Sequence, residues 1–214
     1  MRRFLMIFGV LAVGVTLAWA SSHESYPRPG KPSKSYTIGV LVPQLTNPHF
    51  LGQAYGYMDE AERLGARVIL HDAGGYQYLD KQIAQMEDLI ASKVDAICLV
   101  AVSGPGTVPV VDRAAAAGIP VVNVNVMTTN EKVAIRIRSD DTVIGEAMAK
   151  FLHERLKKGS VVMQSGPAGA SAFELRAKSF RAWIEKNSPG IKILGERHSL
   201  NTPDQGLKNM EDFL

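Results

Sequence analysis

The 214-residue chain has a single cysteine, Cys98, and few groupings of side chains that do covalent chemistry. One cysteine excludes an internal disulfide framework. With no second thiol beside it, Cys98 has no partner with which to hold zinc. It sits in the apolar run Ala96 to Val102 and reads as a small buried hydrophobe. The five histidines (His23, His49, His71, His153 and His198) form no H-E-x-x-H and no close pair. The G-x-S-x-G elbow is absent, as are G-x-x-x-x-G-K-[ST] and G-x-G-x-x-G. Asp140 and Asp141 are adjacent and suit helix capping better than general acid and base work. Glu154 and Lys158 have the spacing of a solvated helix face. The chain therefore reads as no enzyme, with no cofactor and no metal site.

A broad cationic surface is also missing. The net charge is +3, but Arg2, Arg3, Arg28, Lys31 and Lys34 all precede Tyr36 and meet only Glu24 there. The remainder is close to neutral, so nucleic acid is not an expected partner.

No apolar run is long enough to be a free-standing membrane span, which takes roughly 20 residues. The longest, Phe4 to Leu17, is broken only by Gly9, Gly14 and Thr16. Arg2 and Arg3 precede it; the small-x-small site Ala18-Trp19-Ala20 and polar Ser21, Ser22 and His23 follow. Those are the three parts of a secretory signal peptide over residues 1–20, cleaved after Ala20. An uncleaved N-terminal anchor is the other reading of the run. No cysteine stands at the cleavage site to take a lipid. Residues 21–35, with three prolines and a glycine, read as an extended linker.

From Tyr36 short apolar runs alternate with helical stretches. Strands are predicted at Tyr36 to Val42, Ala66 to Leu70, Ala96 to Val102, Pro120 to Val126, Val133 to Ile137, Val161 to Gln164 and Ile191 to Gly195. Helices are predicted at Phe50 to Leu64, closed by Gly65, at Tyr78 to Ser92, and at Val108 to Ala117, ended by Gly118. In the second of these, Leu79, Ile83, Met86 and Ile90 share one face. Further helices run from a cap at Asp140 or Asp141 to about Lys157, over Ser171 to Lys186, and over Gln205 to Leu214. The last stops at Met210 to Leu214 without a cap. Aliphatic strands alternating with helices predict an α/β fold, a parallel sheet with helices on both faces.

Ligands of such sheets bind outside the carboxyl ends of the strands, so the loops there hold the candidates. Asn47-Pro48-His49-Phe50 offers an amide and two ring faces; equally, Asn47 caps a helix with proline in its first turn. Phe50 reads as either core packing or ligand stacking. In Asp72 to Tyr76 the paired glycines permit a tight path that presents Tyr76 to a cleft, or form a plain turn. Ser103 to Thr107 brings backbone N–H groups near a ligand at a helix start, or is an ordinary strand-to-helix turn. Asn123 and Asn125 share a strand face, and Asn125, at the carboxyl end, is the better ligand candidate. Gly166 to Ser171 opens a helix carrying Arg176, which either donates to hydroxyls or a carboxylate in a cleft or forms a surface ion pair.

The order of these segments resembles the type I periplasmic binding proteins of the ribose-binding kind. The resemblance is carried by Tyr36-Thr-Ile-Gly-Val-Leu-Val-Pro, Asn47-Pro-His-Phe, Val94-Asp-Ala-Ile-Cys-Leu-Val, Ala117-Gly-Ile-Pro-Val-Val, Ser139-Asp-Asp, and Gly166-Pro-Ala-Gly-Ala-Ser with Arg176 and Phe180. It covers Tyr36 to Leu214. It implies two Rossmann-like parallel-sheet lobes closing on one small solute, with no covalent chemistry. The lobes are expected over 36–127 and 139–214, the second of them partial, joined by a crossover at 128–138 with a hinge at Met127 to Thr129. Asn47, His49 and Phe50 would supply a polar contact and stacking, and Arg176 would grip the ligand. Tyr76, Ser103 and Asn125 complete the candidate set. Two departures matter. Ala101 stands where ribose-type receptors carry asparagine, and Asn125-Val126 stands where they carry Asp-Arg. The bound solute is therefore expected to be other than ribose. The Ala73 to Tyr76 turn and the Gly166 loop are also similar to the periplasmic trimethylamine N-oxide sensors. The two expected roles are thus a periplasmic receptor delivering a sugar or related polar solute to a membrane ABC permease, and a receptor signalling to a membrane sensor kinase. Repressors of the lactose-operon kind share the fold but need an N-terminal DNA-binding domain, where this chain has a signal peptide and linker. Family members continue well past the last helix, so the chain reads as truncated, with full affinity expected only of a longer one.

Overall fold

A computed structural model describes residues 29–214; the signal-peptide reading and part of the linker lie outside these. Residues 31–214 form one unit holding two parallel sheets. The first sheet is built from β1 (Thr37–Val42), β2 (Arg67–Asp72), β3 (Ala96–Leu99), β4 (Val121–Val124) and β5 (Ile135–Ile137), in the order β2-β1-β3-β4-β5. Its helices are α1 (Pro48–Leu64), α2 (Leu79–Ala91) and α3 (Val108–Ala116). After β5 come α4 (Asp141–Leu156), β6 (Gly159–Ser165), α5 (Ser171–Asn187), β7 (Ile191–His198) and α6 (Pro203–Glu211). β6 and β7 pair in parallel with a register shift between Val161 and Val162.

The alternation of side chains along β1 sorts the helices onto two faces. Leu41 joins Ile97, Leu99, Met86, Leu89, Val110 and Val111 under α2 and α3. Val40 and Val42 join Phe50, Tyr57 and Cys98 under α1. Gly39 has a packing role: a Cβ there would stand 2.5 Å from Leu89 Cδ1, so the missing side chain lets α2 lie against β1.

The ends of the elements follow their capping chemistry. Asn47 Oδ1 accepts from His49 N–H at 2.9 Å, starting α1 with Pro48 in its first turn. Gly65 closes the helix at φ 72°, donating to the Ala61 and Glu62 carbonyls. Asp140 caps α4, accepting from Thr142 N–H and Val143 N–H.

Several boundaries differ from the sequence expectation. Beyond Leu99 the pairing is shared with Gln82, fully buried on α2: Val100 N–H still donates to Leu41 O at 2.9 Å and Ala101 N–H to Val126 O at 3.2 Å, while Gln82 Nε2 donates to Val100 O at 3.0 Å and its Oε1 accepts from Val102 N–H at 2.9 Å. The fourth strand stops at Val124 because Asn125 turns the chain at φ 62°. β7 runs on to His198, where Gly195 had been expected to end it. The expected crossover over 128–138 contains β5, which pairs with β4. The chain thus leaves the first sheet after Ile137. At Met127 to Thr129, where the hinge is expected, Thr128 N–H donates to Asn123 Oδ1, and Thr107 Oγ1, Thr128 Oγ1 and Gly104 O lie within hydrogen-bonding distance of one another.

Candidate ligand-binding site

The carboxyl ends of the strands bring most of the candidate side chains to one region. His49, in the first turn of α1, meets Asn125 beyond β4, with Nε2 2.6 Å from Asn125 Nδ2. Gln53 Nε2, one turn along α1, lies 3.0 Å from the same ring nitrogen. The positive φ of Asn125 is what turns its side chain back toward α1; asparagine tolerates this conformation better than most residues. Asn47 itself is spent on the helix cap.

A series of ring contacts leads from there to the second half of the chain. His49 and Phe50 lie edge to face with centroids 5.1 Å apart. Phe50 and Tyr76 are 6.4 Å apart. Tyr76 meets Phe173, on the first turn of α5, at 5.8 Å and an interplanar angle of 85°. The Arg176 guanidinium stands 5.7 Å over the Phe173 ring. Phe50 is 2% exposed and Tyr76 6%, so in this conformation both rings pack on protein. The Tyr76 hydroxyl is buried with no hydrogen-bond partner, and that burial raises its pKa against the opposing pull of the Arg176 charge.

Arg176 is partly exposed at 34%, and its Nε donates to Asp141 Oδ1 at 2.7 Å. It lines a cavity of about 370 Å³ with Phe173, Ser165, Gly166, Gln164 and Met148. Ser103 does not reach the other candidates through its hydroxyl. Its Oγ accepts from Gly106 N–H at 3.2 Å, which closes a strand-to-helix turn.

The Gly166 to Ser171 loop binds the first half of the chain. Gly104 N–H donates to Gly169 O at 2.8 Å, and Met127 N–H to Ser171 Oγ at 2.8 Å. A Cβ at Gly104 would lie 2.9 Å from Met127 O and 3.4 Å from Gly169 O, so only glycine lets these backbones approach.

Sequence reasoning passed over two residues of this region. Phe173 is one helical turn before Arg176 and so shares its face, a spacing visible in the chain. Asp140 and Asp141 read alike as caps, since nothing local in the sequence tells them apart. The structure gives the cap to Asp140 and buries Asp141 at 1% exposure against Arg176. Among the described residues, no group of three or more His, Cys, Asp or Glu side chains is placed to hold a metal ion.

Comparison with known proteins gives a consistent set of matches. Residues 38–214 match the family model of the periplasmic binding protein domain. The ribose import binding protein of Bacillus subtilis is 31% identical over 211 residues, covering 96% of this chain and 67% of that protein. Among solved structures, a sugar ABC transport substrate-binding protein from Bordetella parapertussis matches with a TM-score of 0.80 at 27% identity, over 89% of this chain and 60% of that one. A fructose-binding periplasmic domain of a hybrid two-component system shares the fold, with a TM-score of 0.78 at 23% identity over 83% of this chain and 59% of that one. The chain thus spans roughly three fifths to two thirds of these proteins.

Proposed function

The chain belongs to the periplasmic binding protein family, and from that premise we propose that it is an exported receptor that captures a sugar or related small polar solute for a membrane ABC permease in the periplasm. One observation carries this reading. The ring series His49, Phe50, Tyr76 and Phe173 joins loops of both sheets, and polar Asn125 and Arg176 flank it. The His49 and Phe173 rings, which stay accessible while Phe50 and Tyr76 pack on protein, suit the apolar face of a sugar ring, and amide and guanidinium donors suit its hydroxyls. The relatives point the same way, since those named above bind ribose or fructose or serve sugar transport.

Closure follows from the same contacts. The Gly104–Gly169 and Met127–Ser171 hydrogen bonds form only when the two halves meet. A solute that touches both halves stabilises the closed form by its differential affinity for it. The passage around Arg138 to Asp140, after β5 and before α4, is the natural place for the chain to flex.

The test is thermal unfolding of the purified chain with D-ribose, D-xylose, myo-inositol and trimethylamine N-oxide. A rise in Tm with one or more of the sugars and polyols, and none with the N-oxide, supports the reading. Because Ala101 and Asn125-Val126 replace the charged and amide residues of ribose-type receptors, D-ribose is not expected to give the largest shift. A response to trimethylamine N-oxide alone would favour the second reading, a receptor signalling to a membrane kinase. The fold shared with a two-component periplasmic domain makes that reading concrete.

A further inference from the structure

Asp141 is a buried acid for which the ligand contacts proposed above have no use. It is 1% exposed at the first position of α4, and the helix does not need it as a cap because Asp140 does that work. Its Oδ1 accepts from Arg176 Nε at 2.7 Å and lies 3.4 Å from Ser139 Oγ. One turn further along α4, Gly145 sets the distance. A Cβ there would collide with Ser179 Oγ and with the Arg176 carbonyl, so α4 and α5 touch through backbone at this point. That contact brings Asp141 level with the root of the Arg176 side chain.

A buried carboxylate–guanidinium pair adds little net stability over an apolar pair of similar volume. What it does add is direction, because an arginine held through Nε presents the opposite edge of a rigid planar fork. Among the described residues, the terminal nitrogens of Arg176 meet no acceptor. The Phe173 ring lies against the guanidinium, and Arg176 lines the cavity that runs along β6 between residues of α4 and α5. We propose that Asp141 is the positioning residue of the solute site. It holds Arg176 by Nε and leaves the terminal N–H donors free for a ligand oxygen. This rests on the binding function proposed above.

The experiment has two arms. The first follows the Arg176 Nε–H signal by 15N NMR on the sugar-free chain, in the parent and in Asp141→Asn and Asp141→Ala. The second measures the affinity of D-xylose, D-ribose and myo-inositol for the same proteins, for Arg176→Ala and for the double variant Asp141→Ala/Arg176→Ala. Sugar-free thermal unfolding of each checks that it is folded. The expected result is an exchange-protected Nε–H in the parent that is lost in Asp141→Ala. Each single alanine variant is expected to lose affinity by roughly tenfold or more for whichever probe the parent binds. The double variant is expected to be no weaker than Arg176→Ala alone, because the acid acts only through the arginine. Asp141→Asn retains an acceptor oxygen and is expected to recover part of the affinity.

An unprotected Nε–H in the parent overturns the proposal whatever the sugars do. So does an undiminished affinity in folded Asp141→Ala, or a double variant weaker by the full product of the two single losses. A protected Nε–H in a parent that binds none of the probes overturns a role for Asp141 in binding these sugars. That outcome is distinct from the other three.

Discussion

The two sheets are written in the same local code and packed to different degrees. β1 has a strand on each side, and its last four residues, Gly39 excepted, are fully buried aliphatics. β6 has the comparable run Val161-Val162-Met163 but pairs with β7 alone, and among its residues only Ser165 is buried. The first sheet anchors a cluster of twelve buried residues with α2 and α3. The second anchors Ala149, Ile184 and Ile191. Leu194 on β7 is 68% exposed and Phe151 on α4 60%. An apolar strand reports the faces it is suited to cover, and the neighbours decide how much of it is removed from water.

Mutation can break this comparison or sharpen it. The largest effect is expected at Leu99, fully buried in the first sheet: Leu99→Ala should cost about 4 kcal/mol of unfolding free energy in urea titration. Phe50→Ala should cost about 3 kcal/mol, because the ring packs among Val40, Val42 and Val102 as well as facing the candidate site. Ile184→Ala in the second cluster is as deeply buried but has few fully buried neighbours that would be left lining a void. It should cost about 2 kcal/mol. If Ile184→Ala costs as much as Leu99→Ala, the two sheets are equally well packed and the contrast fails.

Two smaller effects concern the first sheet. Burial pushes the Cys98 thiol up to about 11, so its labelling by a maleimide at pH 8 should be slow in the native chain and fast in urea. Lys132, then Asn130, donate to Asp112 and hold its carboxyl below the usual 3.8. A depressed carboxylate stabilises the fold above its unfolded pKa and loses that contribution as pH falls through the folded value. Asp112→Asn should therefore lower Tm slightly at neutral pH, and the difference should vanish well below pH 3.8. The group is exposed, so the shift should also shrink in high salt.

Periodicity alone showed thirteen elements in their order. All have a counterpart in the sequence, because apolar spacing and caps are local properties. Local reading stops where a distant group intervenes. Nothing within Ala96 to Val102 says that Gln82 will pair with Val100 O and Val102 N–H. Nothing near Met127 says that Thr107 and Gly104 will hydrogen-bond the next residue. The candidate loops were legible as those that follow strands, a topological rule that needs no coordinates. The division of labour within it was not. Asp140 and Asp141 are indistinguishable as letters, and only the packing of α4 on α5 separates the cap from the buried partner of Arg176.

The meeting of Gly104 with Gly169 has a consequence for sequence drift. A contact made of peptide groups carries little memory of side-chain chemistry, so the demand this seam makes on residue identity is confined to a few positions. Its requirements fall on three positions: 104 has no side chain, 169 takes a left-handed backbone at φ 77°, and 171 supplies a hydroxyl. Related chains could therefore diverge widely along both loops and still come together in the same way. An alanine at position 104 would bring its Cβ to 2.9 Å from the Met127 carbonyl oxygen, so the backbone there would have to shift.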